Sequence, residues 1–178
     1  TECRRQRQMC IRDRINVDTF AAFESTYEPL QSEKILFING NILDGEGNEL
    51  LDTDLLIADG KIIAIGKGIS VDDKDVKIID AKNKWITPGI IDIHSHMGVY
   101  PAPSVRTSSD GNEATSPVTA EVWAEHSMWV QDPQYALALK GGITTFHVLP
   151  GSANLIGGRG VTVKNLQRNT IQSMKYPD

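Results

Sequence analysis

The chain has 178 residues, 40% apolar and 23% charged, with a formal net charge of −5. No run approaches the roughly 18 consecutive apolar residues of a membrane-spanning helix, so nothing supports a membrane partner. The acidic balance argues against a nucleic-acid surface.

The first fourteen residues, TECRRQRQMCIRDR, differ from all that follow. They are basic and aperiodic. A solvated tail and a nucleic-acid arm are two readings. The favoured one is a foreign segment, because RQRQMCIRDR resembles translated sequencing-adapter read-through, and it is set aside from fold reasoning. Five arginines against Glu2 and Asp13 make this segment +3, so the −5 of the whole chain leaves −8 for the rest. Cys3 and Cys10 also fall here, and the remainder holds no cysteine. A disulfide framework and a thiolate metal site are thereby excluded from the body. No basic region followed by an apolar signal core is visible, and the compartment, cytoplasmic or periplasmic, stays open. Residues 15–33 are weakly patterned and read as a leader or linker.

From Lys34 the pattern is β. KILFING is a strand stopped by Asn39-Gly40, and DGEGNE is a turn cluster. TDLLIADGKIIAIGKG is two apolar runs joined by Asp59-Gly60, the strongest short-range hairpin signal, because a type I′ turn needs positive φ at both central positions. VKIIDAKNKWIT adds a strand, a polar turn and a short strand around Trp85. Short strands at this spacing predict a small β-sandwich over 34–87.

Pro88-Gly89 breaks the pattern, and IIDIH then reads as a buried strand. A loop rich in Pro, Ser, Thr and Asn fills 97–119. A helix is predicted near 117–130, with Ser116 as cap and Pro117 at the first helical position. A second helix is predicted in DPQYALALKGG, with Asp132 as cap, Pro133 first, and Gly141 as the stop. ITTFHVLP is a second buried strand. Strand, long helical connection and strand predict a parallel pair. GSANLIGGRG is a glycine-rich loop, and VTVKNL is a third short strand.

The chemistry concentrates in IIDIHSH. Residues two apart on a strand share a face, so Asp92, His94 and His96 project together if the strand runs that far. They lie at its C-terminal end, where parallel α/β folds place ligands. Neutral imidazole is the commonest protein ligand for zinc and related metals. His94 and His96 are the candidate metal ligands. Asp92, one layer deeper, is placed to hydrogen-bond an imidazole N–H and fix its tautomer. An isolated His-x-His is weak by itself; packed or surface histidines are the common alternative.

Here KWITPGIIDIHSHMG resembles the first barrel strand of the amidohydrolase superfamily: Pro-Gly, two apolar residues, Asp, any residue, His, any residue, His. ADGKIIAIG resembles the hairpin of that family's accessory sandwich. ALKGGITTFHVLPGSANLIGGRGVTVKN resembles the second strand and following loop of its imidazolonepropionase-related branch. The resemblance runs from about residue 34 to 178. It implies an α/β fold, a distorted (β/α)₈ TIM barrel preceded by a small β-sandwich, with the barrel occupying 88–178 here. It also implies one or two divalent metal ions, most simply zinc, with iron, nickel and manganese open. The implied activity is hydrolysis of a carbon–nitrogen bond in a small-molecule amide, cyclic amide or dipeptide-like substrate. In the family the remaining ligands are a carbamylated Lys or a Glu, then two more His and a late Asp that shuttles the proton.

A complete barrel needs about 250 residues. The expectation is therefore an N-terminal part with two or three barrel strands, open sheet edges, an incomplete metal shell and no activity of its own. The competing class is a non-catalytic barrel scaffold acting through homo-oligomers. A carbohydrate-binding β module would fit only 34–87 and leave the histidines unexplained. Arg159, in the loop after the second strand, is a candidate to hold a substrate carboxylate bidentately, against a solvated loop arginine. Tyr100 is a candidate pocket wall. His147 reads as a packed strand histidine, His126 as structural or a pocket wall, and Lys164 as a weak carbamate candidate. The glycine-rich loop lacks the Gly-Lys-Ser/Thr ending of a P-loop.

Overall fold

The computed structural model describes residues 22–177. The foreign-segment reading of 1–14 and the first part of the 15–33 leader lie outside the described residues. The described chain forms two compact units, Glu28–Gly89 and a second that joins residues 22–27 to 90–177.

The first unit is a single five-stranded sheet. β1 (Ile35–Leu43) pairs antiparallel with β2 (Glu49–Ala58), which pairs antiparallel with β3 (Lys61–Gly66). Asp59 and Gly60 join the last two with φ of 50° and 70°, the doubly positive turn that the sequence predicts. β4 (Lys77–Asp80) and β5 (Trp85–Ile86) both run parallel to β1, at successive stretches of its length. The expected two-layer sandwich is thus one mixed sheet among the described residues. One long strand takes β2 along one edge and two short strands along the other, so no second layer is formed. Leu36, Ile42, Leu55, Leu56 and Ala58 are buried. Asp54 is buried with them; its carboxylate accepts the N–H groups of Asn39 and Ile69, each at 3.0 Å. Those two bonds satisfy the charge and hold the irregular register of β1 around Asn39.

The second unit holds a three-stranded sheet in the order β6 (Ile90–Ser95), β7 (Ile143–Val148), β8 (Val161–Lys164). β6 and β7 are parallel, as the strand–connection–strand pattern predicts. β8 runs antiparallel to β7, so VTVK closes a hairpin with it and does not extend a parallel series. Its connection, the glycine-rich loop, contains no helix of the kind that usually carries a parallel crossover.

β6 departs from expectation more sharply. Ile90, Ile91 and Ile93 are 53%, 61% and 76% exposed, where the sequence predicts a buried strand. β6 is the terminal strand of this sheet, and the core lies under its neighbours. Phe146, Val148, Val161, Val163, Met174 and Val99 pack there with Tyr135. Phe146 has no exposed surface, a burial worth about 1.5–3 kcal/mol. Its ring meets that of Tyr135 edge-on at 5.8 Å. Tyr135 comes from α1 (Gln134–Lys140). Pro133 already has helical angles, and Asp132 Oδ1 accepts the Gln134 N–H at 2.9 Å, so the predicted cap is formed.

The helix predicted at 117–130 is absent. Its residues form turns, with a 3₁₀ turn at Ala124–His126. Their backbone groups pair across to the glycine-rich loop. Pro117 O accepts from Leu155 and Ile156, Thr119 N–H donates to Ile156 O, and Val122 O accepts from Arg159 at 2.7 Å. These cross-chain bonds replace the i→i−4 ladder. Gly158 makes the approach possible: it has φ +132°, and a Cβ there would sit 2.6 Å from Val122 O.

Residues 22–27 are docked on the second unit. Ser25 Oγ donates to Lys175 O at 2.7 Å, and Thr26 N–H donates to Gln172 O at 3.0 Å. Phe23 N–H donates to Glu125 Oε1 at 2.8 Å, and Lys175 Nζ to Phe23 O at 2.6 Å. This part of the stretch read as a linker is a bound strap.

Candidate metal centre

β6 delivers His94 near its C-terminal end, and the strand stops at Ser95. His96 therefore belongs to the turn that follows. The two rings still come together, with centroids 5.4 Å apart at 84°. His94 is exposed and His96 half-buried. Asp92 Oδ1 accepts the backbone N–H of His94 at 3.1 Å. Its carboxylate thus fixes the main chain of the first histidine, where the sequence reading had it meet an imidazole.

The imidazole contact comes from a group that no sequence motif marks. His96 Nδ1 lies 2.9 Å from the carbonyl of Leu149, just beyond β7. A carbonyl only accepts, so Nδ1 carries the hydrogen and Nε2 of the neutral ring keeps its lone pair. This is the arrangement that prepares a histidine to ligate through Nε2. Leu149 is held in turn: its N–H donates to Ser95 O at 2.9 Å. A main-chain acceptor has no residue-type signature, which is why sequence reasoning missed it.

Tyr100 stands edge-on to His96, with centroids 5.4 Å apart. Its ring lies over Gly111 and its hydroxyl against Gly151, where a Cβ on either glycine would collide with it. A cavity of about 300 Å³ runs on from Gly111 and Pro150, past Glu113, Glu121 and Trp123, to His126. Arg159 is engaged with residues 120–123. Its Nε donates to Ala120 O at 3.1 Å and its guanidinium stacks 4.6 Å over Trp123. His147 bonds Thr162 Oγ1 through Nδ1 at 3.0 Å. Lys164 donates to Thr145 Oγ1 at 3.2 Å and lies 4.9 Å over the Tyr176 ring.

The donors present suit a divalent ion of the zinc type: two neighbouring imidazoles, one with its tautomer set by a carbonyl. Among the described residues no group of three or more His, Cys, Asp or Glu converges. What the described residues bring together here is a pair of imidazoles.

The chain is similar to known proteins in both sequence and structure. No family model matches it. By structure it is similar to an amidohydrolase from Thermotoga maritima, with a TM-score of 0.70 and 36% identity, over 82% of this chain and 37% of that one. By sequence it is 35% identical to amidohydrolase tasK of Hapsidospora irregularis over 114 residues, 63% of this chain and 12% of that protein. It is 34% identical to a dihydroorotase of Bacillus cytotoxicus over 117 residues, 66% of this chain and 21% of that protein. The chain thus spans about an eighth to a fifth of the length of these curated relatives. Together they support the amidohydrolase superfamily for the chain.

Proposed function

We propose that this chain carries the opening part of a metal-dependent amidohydrolase, and that the whole protein hydrolyses a carbon–nitrogen bond other than a peptide bond. The observation that carries the reading is the His96–Leu149 hydrogen bond, which leaves a free imidazole lone pair beside the His94 ring. The similarity to an amidohydrolase and a dihydroorotase supports the same chemistry, and dihydroorotase favours a small cyclic amide among the substrates. The glycine-rich loop motif supports the imidazolonepropionase-related branch within the superfamily.

His94 and His96 would hold the ion, most simply zinc. Bound there, a divalent metal would lower the pKa of a water and polarise the scissile carbonyl. The chain's own residues do the positioning. Leu149 O keeps His96 in one tautomer, and Asp92 holds the His94 main chain at the strand end. Tyr100 walls the side of His96, and Arg159 is the candidate partner for a substrate carboxylate. Two imidazoles are fewer than the three protein ligands usual for catalytic zinc, so further ligands complete the shell. Residues 15–178 alone would bind metal weakly and hydrolyse no amide.

The test is a panel of cyclic amides, linear amides and dipeptides assayed with the full-length protein before chelation, after it, and after zinc is returned. Turnover of at least one amide, lost on chelation and restored by zinc, is expected. Turnover indifferent to chelation, or none on any amide with metal restored, contradicts the proposal.

A further inference from the structure

Asp132 does more than cap α1. Its carboxylate is in a residue only 3% exposed, and both oxygens are fully used. Oδ1 accepts the Gln134 N–H at 2.9 Å and the Ala102 N–H at 3.3 Å. Oδ2 accepts the Gly98 N–H at 3.3 Å and Gln134 Nε2 at 2.9 Å. One oxygen thus joins the helix start to Ala102, and the other joins it to Gly98, two residues beyond His96. The turn between them hangs on His96 itself, whose carbonyl accepts from Val99 and Tyr100 at 3.2 and 2.9 Å. Gly98 is held from the other side as well, since its carbonyl accepts the Trp129 N–H at 2.9 Å. It has φ +82°, and a Cβ would run into the Tyr135 hydroxyl.

We propose that Asp132 is a positioning residue for the metal centre, holding the turn that sets the direction of the His96 ring. This rests on the reading of His94 and His96 as ligands. β6 ends at Ser95, so its ladder does not fix His96. The Leu149 bond sets the tautomer of the ring, and the Asp132 clamp sets the backbone from which it projects. A carboxylate suits this post because four N–H groups converge on it. An Asn side chain has one oxygen, and its NH₂ would face a donor. With the oxygen kept on the Gln134 N–H, the groups that lose their acceptor are the Gly98 N–H and one hydrogen of Gln134 Nε2. Asp132→Asn therefore undoes the clamp and spares the cap. Asp132→Ser likewise keeps a capping hydroxyl and is too short to serve Gly98.

The probe is Co²⁺, titrated into the metal-free full-length protein against a competing chelator and followed by its visible bands. Asp132→Asn and Asp132→Ser are expected to weaken Co²⁺ binding about 10- to 100-fold, as for groups that orient metal ligands, and to alter the bands. Gln134→Ala, which leaves the Gly98 bond intact, should bind as the wild type does. Hydrogen exchange at the Gly98 amide should be faster in Asp132→Asn without metal. Faster exchange with unchanged affinity and bands would make Asp132 purely structural and overturn the proposal, as would unchanged exchange. His94→Ala separates the two levels: if it leaves the Co²⁺ bands intact, the ligand assignment itself falls and the proposal with it.

Discussion

Lys175→Met should destabilise the second unit severely, and the structure says by how much. The ammonium lies 3.0 Å from Glu125 Oε2, with side-chain exposures of 7% for Lys175 and 0% for Glu125. Oε2 has this ion pair and no hydrogen bond, while Oε1 accepts the Phe23 N–H. Removing Lys175 leaves a buried carboxylate with one donor, a loss of about 3–5 kcal/mol for a broken buried pair. The bond from Nζ to Phe23 O goes too, so the strap at 22–27 loosens with it. Replacing both residues by Met removes the stranded charge. What then remains is chiefly the unsatisfied Phe23 N–H, about 1–3 kcal/mol, so the double variant should be more stable than Lys175→Met. Equilibrium urea unfolding measures all of these, with an unchanged m-value showing that the transition itself is the same. The exposed pair Lys67–Asp52, at 69% and 74% exposure and 3.7 Å, is the control; losing it should cost at most about 1 kcal/mol. A Lys175→Met cost as small as that, or a double variant no better than the single, would refute the reasoning.

A titration gives a second expectation. The Lys34 ammonium, hydrogen-bonded at 2.8 Å, and then the Asp75 N–H hold the Asp73 carboxyl below the usual carboxylate range. The stabilisation from this depressed group is present above the ordinary carboxylate pKa and is lost as pH falls through its folded value. Lys34→Met should therefore move the Asp73 titration upward, read from its carboxyl carbon by NMR, and an unmoved titration would contradict the assignment. Arg159→Lys should raise KM or lower kcat/KM for carboxylate-bearing amides, because lysine lacks the planar fork. Unchanged kinetics across such substrates would leave Arg159 to its stack on Trp123 and its bond to Ala120.

What could be read in the sequence was local chemistry. Asp59-Gly60 dictates its turn through positive φ, and Asp132-Pro133 starts a helix through a cap and a fixed φ. The alternation of Asp92, His94 and His96 brings out a strand end with two imidazoles. What could not be read was decided by pairing at a distance. Pro117 and the residues after it look like a helix start, but their carbonyls and N–H groups are taken by the 155–159 loop. Ile90, Ile91 and Ile93 look like a buried strand because their composition is apolar; burial depends on what lies beside β6, and its described partner is β7 alone. At the site, the side chains were legible and their supports were not. The Leu149 carbonyl and the second oxygen of Asp132 act through the main chain, or back across more than thirty residues of sequence, where no spacing rule reaches.

The central claim is that His94 and His96 are metal ligands, and metal stoichiometry tests it most directly. Elemental analysis of the full-length protein, wild type beside His94→Ala and His96→Ala, should find bound divalent metal in the first. Both variants should lose most of it while circular dichroism shows the fold retained. Full metal occupancy in both folded variants would contradict the assignment.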